Sequence, residues 1–434
     1  MVWTSYKGCK MGHSYSLFGK NSKYNTCAFS ISFEYNCVDL QGGFIDRNKD
    51  WILHEYFHLV QASSTVFGLW NFIFYIIHFL EVSDASRRTI DIAKFTRPFV
   101  SWRKMKDGKK IQDLEMLLFE KKKQSFAQNI RFIQFSKTKL PSIDIDGIKH
   151  PFPSICAEFD NNGNTLLYEL TPISFYEAYS KCVEDETLQQ KFSIPFGKNR
   201  FYYYAVRIIL NQIFPNITHA QSVVILHWSL NSDSPGEFFR EIIDYLYSVY
   251  QINLPPEKQL SDDIKNNVYL LRNNLHAVYL KKLYDLYTYQ SGCGDQLLSG
   301  ILLNVYDFFK TNFQYITSNQ SIPCLSMYPF VLTKGHPLPH VNQCMSHNSS
   351  LIPLPLYFRQ ENGYAFSASS IYFANYSSVT SLLCIFEMVK NGLLIYGCPI
   401  FNNCNLSCKN SSCTKFLYKK KANCEIMKIL RYFV

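Results

Sequence analysis

The sequence His54-Glu55-Tyr56-Phe57-His58, an HExxH motif, constrains this chain more than any other stretch. Apolar residues recur with a helical period through residues 51 to 61, which we call the motif segment, so a helix is predicted there. Residues four apart share one helix face, so His54 and His58 direct two imidazoles at one point, as a zinc site requires. Glu55 lies about 100° around the helix from His54. A general base for a zinc-activated water belongs at that position.

A catalytic zinc ion usually takes a third protein ligand, which must come from elsewhere in the chain. The histidine-based extensions of the motif do not fit, because no histidine follows His58 until His78. Glu81 lies 23 residues after His58, at the end of an apolar run. Glu177 lies much further along, in a segment where Thr171-Pro172 predicts the start of a helix. The residues alone leave Glu81 and Glu177 open as the third ligand.

Three further polar residues are candidates for supporting roles. Gln61 lies three residues after His58 on the motif face, where it could hydrogen-bond a ligand carboxylate or a substrate carbonyl. A partly exposed glutamine at the end of a helix is the alternative interpretation. His219 and His227 are candidates for the donor that stabilises negative charge in many zinc hydrolases, or are ordinary helical histidines.

Composition and charge exclude several classes of protein. Hydrophobic residues make up 47% of the 434 residues, which excludes a disordered chain. The net charge of +10 is spread over short runs typical of a solvated surface, so no nucleic-acid partner is predicted. Residues 1 to 25 lack a secretory signal, and the apolar run at 66 to 80 is too short to span a membrane. We therefore expect a cytoplasmic protein with reduced cysteines, and the sequence does not indicate an oligomeric state.

The periodicity predicts an α+β fold that is mainly helical. A strand is predicted at residues 27 to 33, before the motif segment. Helices are predicted at residues 66 to 82, 112 to 124, 168 to 184, 201 to 214, 220 to 229, 237 to 251 and 261 to 289.

The amino-acid composition of the chain changes near residue 320, where prolines and cysteines become frequent. We therefore predict one domain at residues 1 to 320, with a variable insertion at 83 to 150, and a Cys/Pro-rich C-terminal region at 321 to 434. Four cysteines of this region could hold a second, structural metal, either zinc or iron in a cluster, or could be plain thiols. They are Cys398, Cys404, Cys408 and Cys413.

Three stretches of the chain together resemble a group of poorly characterised bacterial HExxH proteins. They are residues 54 to 61, 171 to 179 and 227 to 239, and the resemblance spans roughly residues 25 to 245. It is most specific at the motif. It implies a zincin-like core of the gluzincin type, in which His54, His58 and Glu177 bind zinc and Glu55 is the base. It implies no particular substrate.

The motif and the resemblance lead us to expect a zinc-dependent hydrolase, and from the motif class a peptidase acting on a peptide or protein. The alternative is a catalytically idle zincin-like scaffold used for binding, in a toxin or defence context. Glu55 argues against that alternative, since a base without chemistry to perform is free to change.

Overall fold

The structure of the protein is a computed structural model. It describes residues 22–25, 30–33, 54, 57–58, 61–62, 64–89, 126–136, 143–145, 148–150, 155–187, 190–194, 200–272, 274–317, 356–360 and 363–367. The chain divides into two compact units. Unit 1 comprises Met1–Cys37, Phe79–Trp102 and Pro355–Val434, and unit 2 comprises Val38–His78 and Arg103–Leu354. The predicted boundary near residue 320 and the predicted insertion stay predictions.

The strands of the described residues are short. They are β1 (Ser22–Asn25), β2 (Ser30–Phe33), β3 (Arg131–Ser136), β4 (Ile143–Ile145), β5 (Ile148–His150), β6 (Ile155–Asn161), β7 (Asn164–Leu170), β8 (Leu356–Gln360) and β9 (Gly363–Ser367). In unit 1 the strand order is β1-β2-β8-β9, with β2 and β8 parallel and the other pairs antiparallel. In unit 2, β3, β6 and β7 form an antiparallel sheet, and β4 and β5 form a separate hairpin. The strand predicted at 27 to 33 corresponds to β2 over its second half.

Helices make up most of the described chain. They are α1 (Val66–Thr89), α2 (Pro172–Thr187), α3 (Ala205–Ile213), α4 (His219–Ser229), α5 (Pro235–Tyr250), α6 (Glu257–Ile264), α7 (Leu275–Gly292) and α8 (Gln296–Thr317), with a 3₁₀ turn at Phe201–Tyr203 and a π turn at Lys265–Tyr269. The described residues of the motif segment are also helical. The predicted class, α+β and mainly helical, is confirmed. The helix predicted at 112 to 124 lies outside the described residues.

Two of the helix predictions are wrong in part. The helix predicted from residue 168 begins at Pro172, because Tyr168 belongs to β7. This strand pairs with β6 through a hairpin that turns at Asn162-Gly163, where φ is 57° and 81°, the left-handed region that an Asn-Gly turn supplies.

The single helix predicted at 261 to 289 is interrupted. It ends after the π turn at Lys265–Tyr269, and Asn274 begins α7 by accepting a hydrogen bond from the backbone N–H of Ala277 at 3.2 Å. A capping side chain stabilises the start of a new helix, even where the apolar pattern of the sequence continues without a break. Helix α8 was not predicted.

Helix α1 begins close to the motif segment. A Cβ at Gly68 would lie 2.0 Å from the carbonyl oxygen of Ala62, so only glycine permits this approach. Thr65 donates to the carbonyl of Gln61 at 2.7 Å and accepts from the N–H of Gly68 at 3.1 Å, which caps the helix. The apolar start of α1 is buried, as predicted. No helix among the described residues is long and apolar enough to cross a membrane.

Candidate metal centre

Two imidazoles and a carboxylate meet in unit 2. One potential ligand atom from each of His54, His58 and Glu177 lies within 4.8 Å of the other two. Nε2 of His54 is 3.4 Å from Oε2 of Glu177, and Nε2 of His58 is 4.0 Å from the same oxygen. His54 is 4% exposed, and His58 and Glu177 are 0% exposed. We call these three residues the metal cluster, because they could hold a metal ion.

The motif segment brings the two imidazoles together, as its helical spacing predicts. The ring centroids of His54 and His58 are 4.9 Å apart. Phe57, between them in sequence, is buried with its ring 6.1 Å from that of Tyr179 on α2. The ring of Tyr176, also on α2, stacks on His58 at 5.9 Å. Helix α2 therefore packs directly against the motif segment.

Glu177 reaches the imidazoles because of where α2 begins. Strand β7 ends at Leu170, and Pro172 opens the helix, which is the position where proline is best tolerated. Glu177 then falls in the second turn. Its neighbour Ala178 is fully buried, and its small side chain permits close packing. The predicted Thr-Pro helix start is confirmed.

Neutral groups hold His58 in place. Nδ1 of His58 donates to Oε1 of Gln61 at 2.9 Å, and Oγ of Ser180 lies 3.3 Å from the same nitrogen. The amide of Gln61 is itself oriented, since its Nε2 donates to the carbonyl of Tyr176 at 3.1 Å and to Ser180 at 3.2 Å. Nε2 of His58 is thereby directed toward Glu177. Gln61 thus contacts an imidazole and not the ligand carboxylate predicted from the sequence, and the glutamine is fully buried rather than partly exposed.

A charged group holds His54. Nδ1 of His54 lies 3.2 Å from Oε2 of Glu184, a half-buried residue two turns after Glu177 on α2. Burial alone would lower the pKa of His54, but hydrogen bonds to Glu177 and Glu184 and their negative charges raise it to about 9. Burial would raise the pKa of Glu184, but His54 and Lys181 hold it below its ordinary value. The surroundings of His54 therefore favour a positive charge, whether a proton or a bound cation carries it.

Bond lengths at zinc test whether these residues fit a metal. Zinc lies about 2 Å from histidine nitrogen and carboxylate oxygen, so two ligand atoms at the tetrahedral angle lie roughly 3.3 Å apart. The separation of His54 Nε2 from Oε2 of Glu177, 3.4 Å, matches that value, whereas the separation of His58 Nε2 from the same oxygen, 4.0 Å, is longer. Both histidines use Nδ1 to contact supporting residues, so both direct Nε2 to the same place, as metal-binding histidines do. The metal cluster could therefore hold a metal ion, with its three ligand atoms within 4.8 Å of one another.

The predicted base and the remaining predicted ligands fall outside what the structure describes. Glu55, Cys398, Cys404, Cys408 and Cys413 lie outside the described residues, and so does the side chain of Glu81, whose backbone belongs to α1. The choice of Glu177 over Glu81 therefore rests on the position of Glu177 alone.

The two additional histidine candidates lie on α4. Nε2 of His219 contacts the carbonyl of Gln190 at 2.8 Å. His227 is fully buried, and its ring is 6.2 Å from that of Tyr179. Burial lowers the pKa of His227 to about 3. Neither residue belongs to the metal cluster.

Sequence reasoning missed Glu184 and Ser180. Ser180 is three residues after Glu177, and Glu184 is seven residues after it, so all three lie on one face of α2. Once Glu177 was considered as a ligand, that spacing was the signal that could have found both.

Comparison of the chain with models of known protein families, with curated proteins and with solved structures finds no match. The zincin-like core and the resemblance to bacterial HExxH proteins therefore stay predictions.

Proposed function

We propose that this protein is a zinc-dependent hydrolase that cleaves peptide bonds. The observation that carries the proposal is the buried metal cluster, in which His54, His58 and Glu177 converge within 4.8 Å. Two of its members belong to an HExxH motif, and a glutamate from a separate helix is the third. Two histidines and one glutamate are a ligand set of catalytic zinc sites, and imidazole with carboxylate suits zinc better than the hard cations.

Different residues of the chain would bind the metal ion, transfer the proton and orient the ligands in such a reaction. A zinc ion in the cluster would supply Lewis acidity, activating a water and polarising a substrate carbonyl. Glu55, whose role rests on the motif, accepts the proton of the attacking water and passes it to the leaving amine as the C–N bond breaks. Gln61 and Ser180 keep His58 oriented, and Glu184 keeps His54 oriented.

The substitution Glu55→Gln tests this assignment. It preserves size and both imidazoles, but an amide cannot accept the proton, so turnover should fall at least about 100-fold while zinc is retained. A peptide-library digest read by mass spectrometry gives the activity and the cleaved sequences. Glu186→Gln, the same change on α2 outside the metal cluster, is the control and should behave as wild type. Robust cleavage by Glu55→Gln would show that the base is misassigned.

A metal-binding scaffold without catalysis is the second candidate. The complete burial of His58 and Glu177 favours it, because a catalytic site must admit a substrate. Zinc bound by a wild-type protein that cleaves no member of the library, with an unchanged zinc content in Glu55→Gln, would favour the scaffold over the hydrolase.

A further inference from the structure

The two imidazoles of the metal cluster differ in what contacts Nδ1. His58 faces an amide and a hydroxyl, from Gln61 and Ser180. His54 faces the carboxylate of Glu184 at 3.2 Å. A carboxylate that accepts from the far nitrogen of a histidine orients the ring and makes its other nitrogen a stronger ligand.

The positive charge of Lys181 holds the carboxylate of Glu184. Lys181 contacts Oε1 of Glu184, leaving Oε2 toward His54, and the same Nζ lies 2.8 Å from Oδ1 of Asp185. Arg207 on α3 in turn donates to Oδ2 of Asp185 at 2.7 Å. The guanidinium stacks over the ring of Phe192 at 4.6 Å, and both Arg207 and Asp185 are buried. A continuous series of charged contacts thus leads from α3 to His54.

We propose that Glu184 is a positioning residue of the metal centre, and that it increases metal affinity through its hydrogen bond to His54. This inference rests on the metal site of the proposed function, though not on catalysis. Lys181 contacts Oε1 of Glu184 and limits its rotation, and the pair of Asp185 with Arg207 keeps Lys181 in place. One face of α2 therefore supplies a ligand, Glu177, and the group that orients another ligand.

The test measures affinity for Zn²⁺ and Co²⁺ by competition with a chelator, together with the visible absorption spectrum of bound Co²⁺. Glu184→Ala should weaken binding of both metals by about 10- to 100-fold. Glu184→Gln retains an oxygen that accepts from Nδ1, so it should lose less affinity than Glu184→Ala. Both should alter the Co²⁺ spectrum, because the field at the metal changes with the basicity of His54.

Two controls separate positioning from a structural role. Glu186→Gln lies two residues further along the same helix and should keep wild-type affinity and spectrum. Asp185→Asn disturbs the ion pair with Arg207 and reaches Glu184 only through Lys181, so it should lower thermal stability while altering the Co²⁺ spectrum less than Glu184→Ala does. If Glu184→Ala does not fold, Glu184→Gln decides.

The inference would be overturned if the metal affinities of the Glu184 variants were within about threefold of wild type, or if Glu186→Gln lost as much metal affinity as they do. The proposed function would still stand. Absence of metal binding by the wild-type protein would overturn both.

Discussion

Unit 2 buries histidines in two places with different surroundings. The metal cluster places His54 beside two carboxylates. In a second group, which we call the neutral cluster, His276 contacts the hydroxyl of Tyr269 and, through Nε2, Oδ1 of Asn231 at 3.1 Å, while Asn231 also donates to the carbonyl of His227 at 3.0 Å. His54 and His276 are each 4% exposed.

Equal burial has opposite consequences in the two clusters. Burial, with a smaller contribution from His227, lowers the pKa of His276 to about 3, whereas Glu177 and Glu184 raise that of His54 to about 9 against the effect of burial. The difference teaches that acidic neighbours, and not depth, decide in which direction the pKa of a buried histidine moves. The neutral cluster instead joins helices, since Asn231 also accepts from the N–H of Val66 at the start of α1 at 3.3 Å.

The largest expected difference is in stability, between the charged contacts beside the metal cluster and the neutral cluster. Arg207→Met leaves the buried carboxylate of Asp185 with Lys181 alone and should lower the free energy of unfolding by about 3 kcal/mol. Tyr269→Phe, the matched change in the neutral cluster, removes one neutral hydrogen bond to His276 and should cost about 1 kcal/mol. Urea unfolding measures both.

Adding Asp185→Asn to Arg207→Met should recover part of the loss, because the uncompensated charge is removed with its partner. Equal costs for the two single variants would mean that the charged contacts beside the metal cluster are no more important to folding than neutral ones.

The pH dependence of the metal-free protein should have a limb for each cluster. The folded-state pKa of His54, about 9, lies above the ordinary 6.5, so its contribution is present below pH 6.5 and lost as pH rises through about 9. His276 and His227 have a pKa of about 3, so their contributions are present above pH 6.5 and lost as pH falls toward 3. Between pH 6.5 and 4.5, His276 alone accounts for about 2 to 3 kcal/mol of that loss.

Urea unfolding at a series of pH values, on protein stripped of metal, measures these limbs. His276→Gln cannot take up a proton, so it should make the acid limb less steep, with His227 still contributing, and should leave the alkaline limb unchanged. An acid limb as steep in His276→Gln as in wild type would contradict the assignment.

A smaller and more local effect is expected when a carboxylate is placed in the neutral cluster. Asn231→Asp keeps the oxygen that accepts from Nε2 of His276 but adds a negative charge, so it should raise the pKa of His276 by about 1 to 3 units. NMR titration of the histidine ring protons measures the shift. Asn267→Asp adds the same charge at an exposed position and should leave His276 unchanged. An unmoved pKa in Asn231→Asp would refute the comparison.

The candidate site could be predicted where its signal is local. The spacing of His54 and His58 encodes a shared helix face, and Thr171-Pro172 encodes a helix start, so the meeting of the two imidazoles and the beginning of α2 followed from sequence. The choice between Glu81 and Glu177 depends on which helix packs against the motif segment. That is a property of the tertiary fold, and spacing along the chain does not carry it.

The fold shows the same division. The burial of the start of α1 could be predicted from its apolar run. The Asn162-Gly163 turn was a local signal too: it predicts a hairpin whose second strand includes Tyr168, so that α2 begins only at Pro172. The interruption before Leu275 was hidden, because the apolar period continues through the π turn and only the capping contact of Asn274 shows the break. The opposite pKa shifts of His54 and His276 could not be predicted, since that of His54 depends on carboxylates far away in sequence and that of His276 on its burial in the tertiary fold.

The most direct test of the account is the metal content of purified protein expressed with zinc available, determined by inductively coupled plasma mass spectrometry. His58→Ala should contain about one equivalent of zinc less than wild type, and Glu177→Gln should be depleted as well, because each loses a ligand. His276→Gln, which removes an equally buried histidine from the neutral cluster, should match wild type. Using the difference from wild type keeps the result independent of any metal held by Cys398, Cys404, Cys408 and Cys413. Zinc retained in full by His58→Ala, or absent from the wild-type protein, would contradict the assignment of the metal cluster.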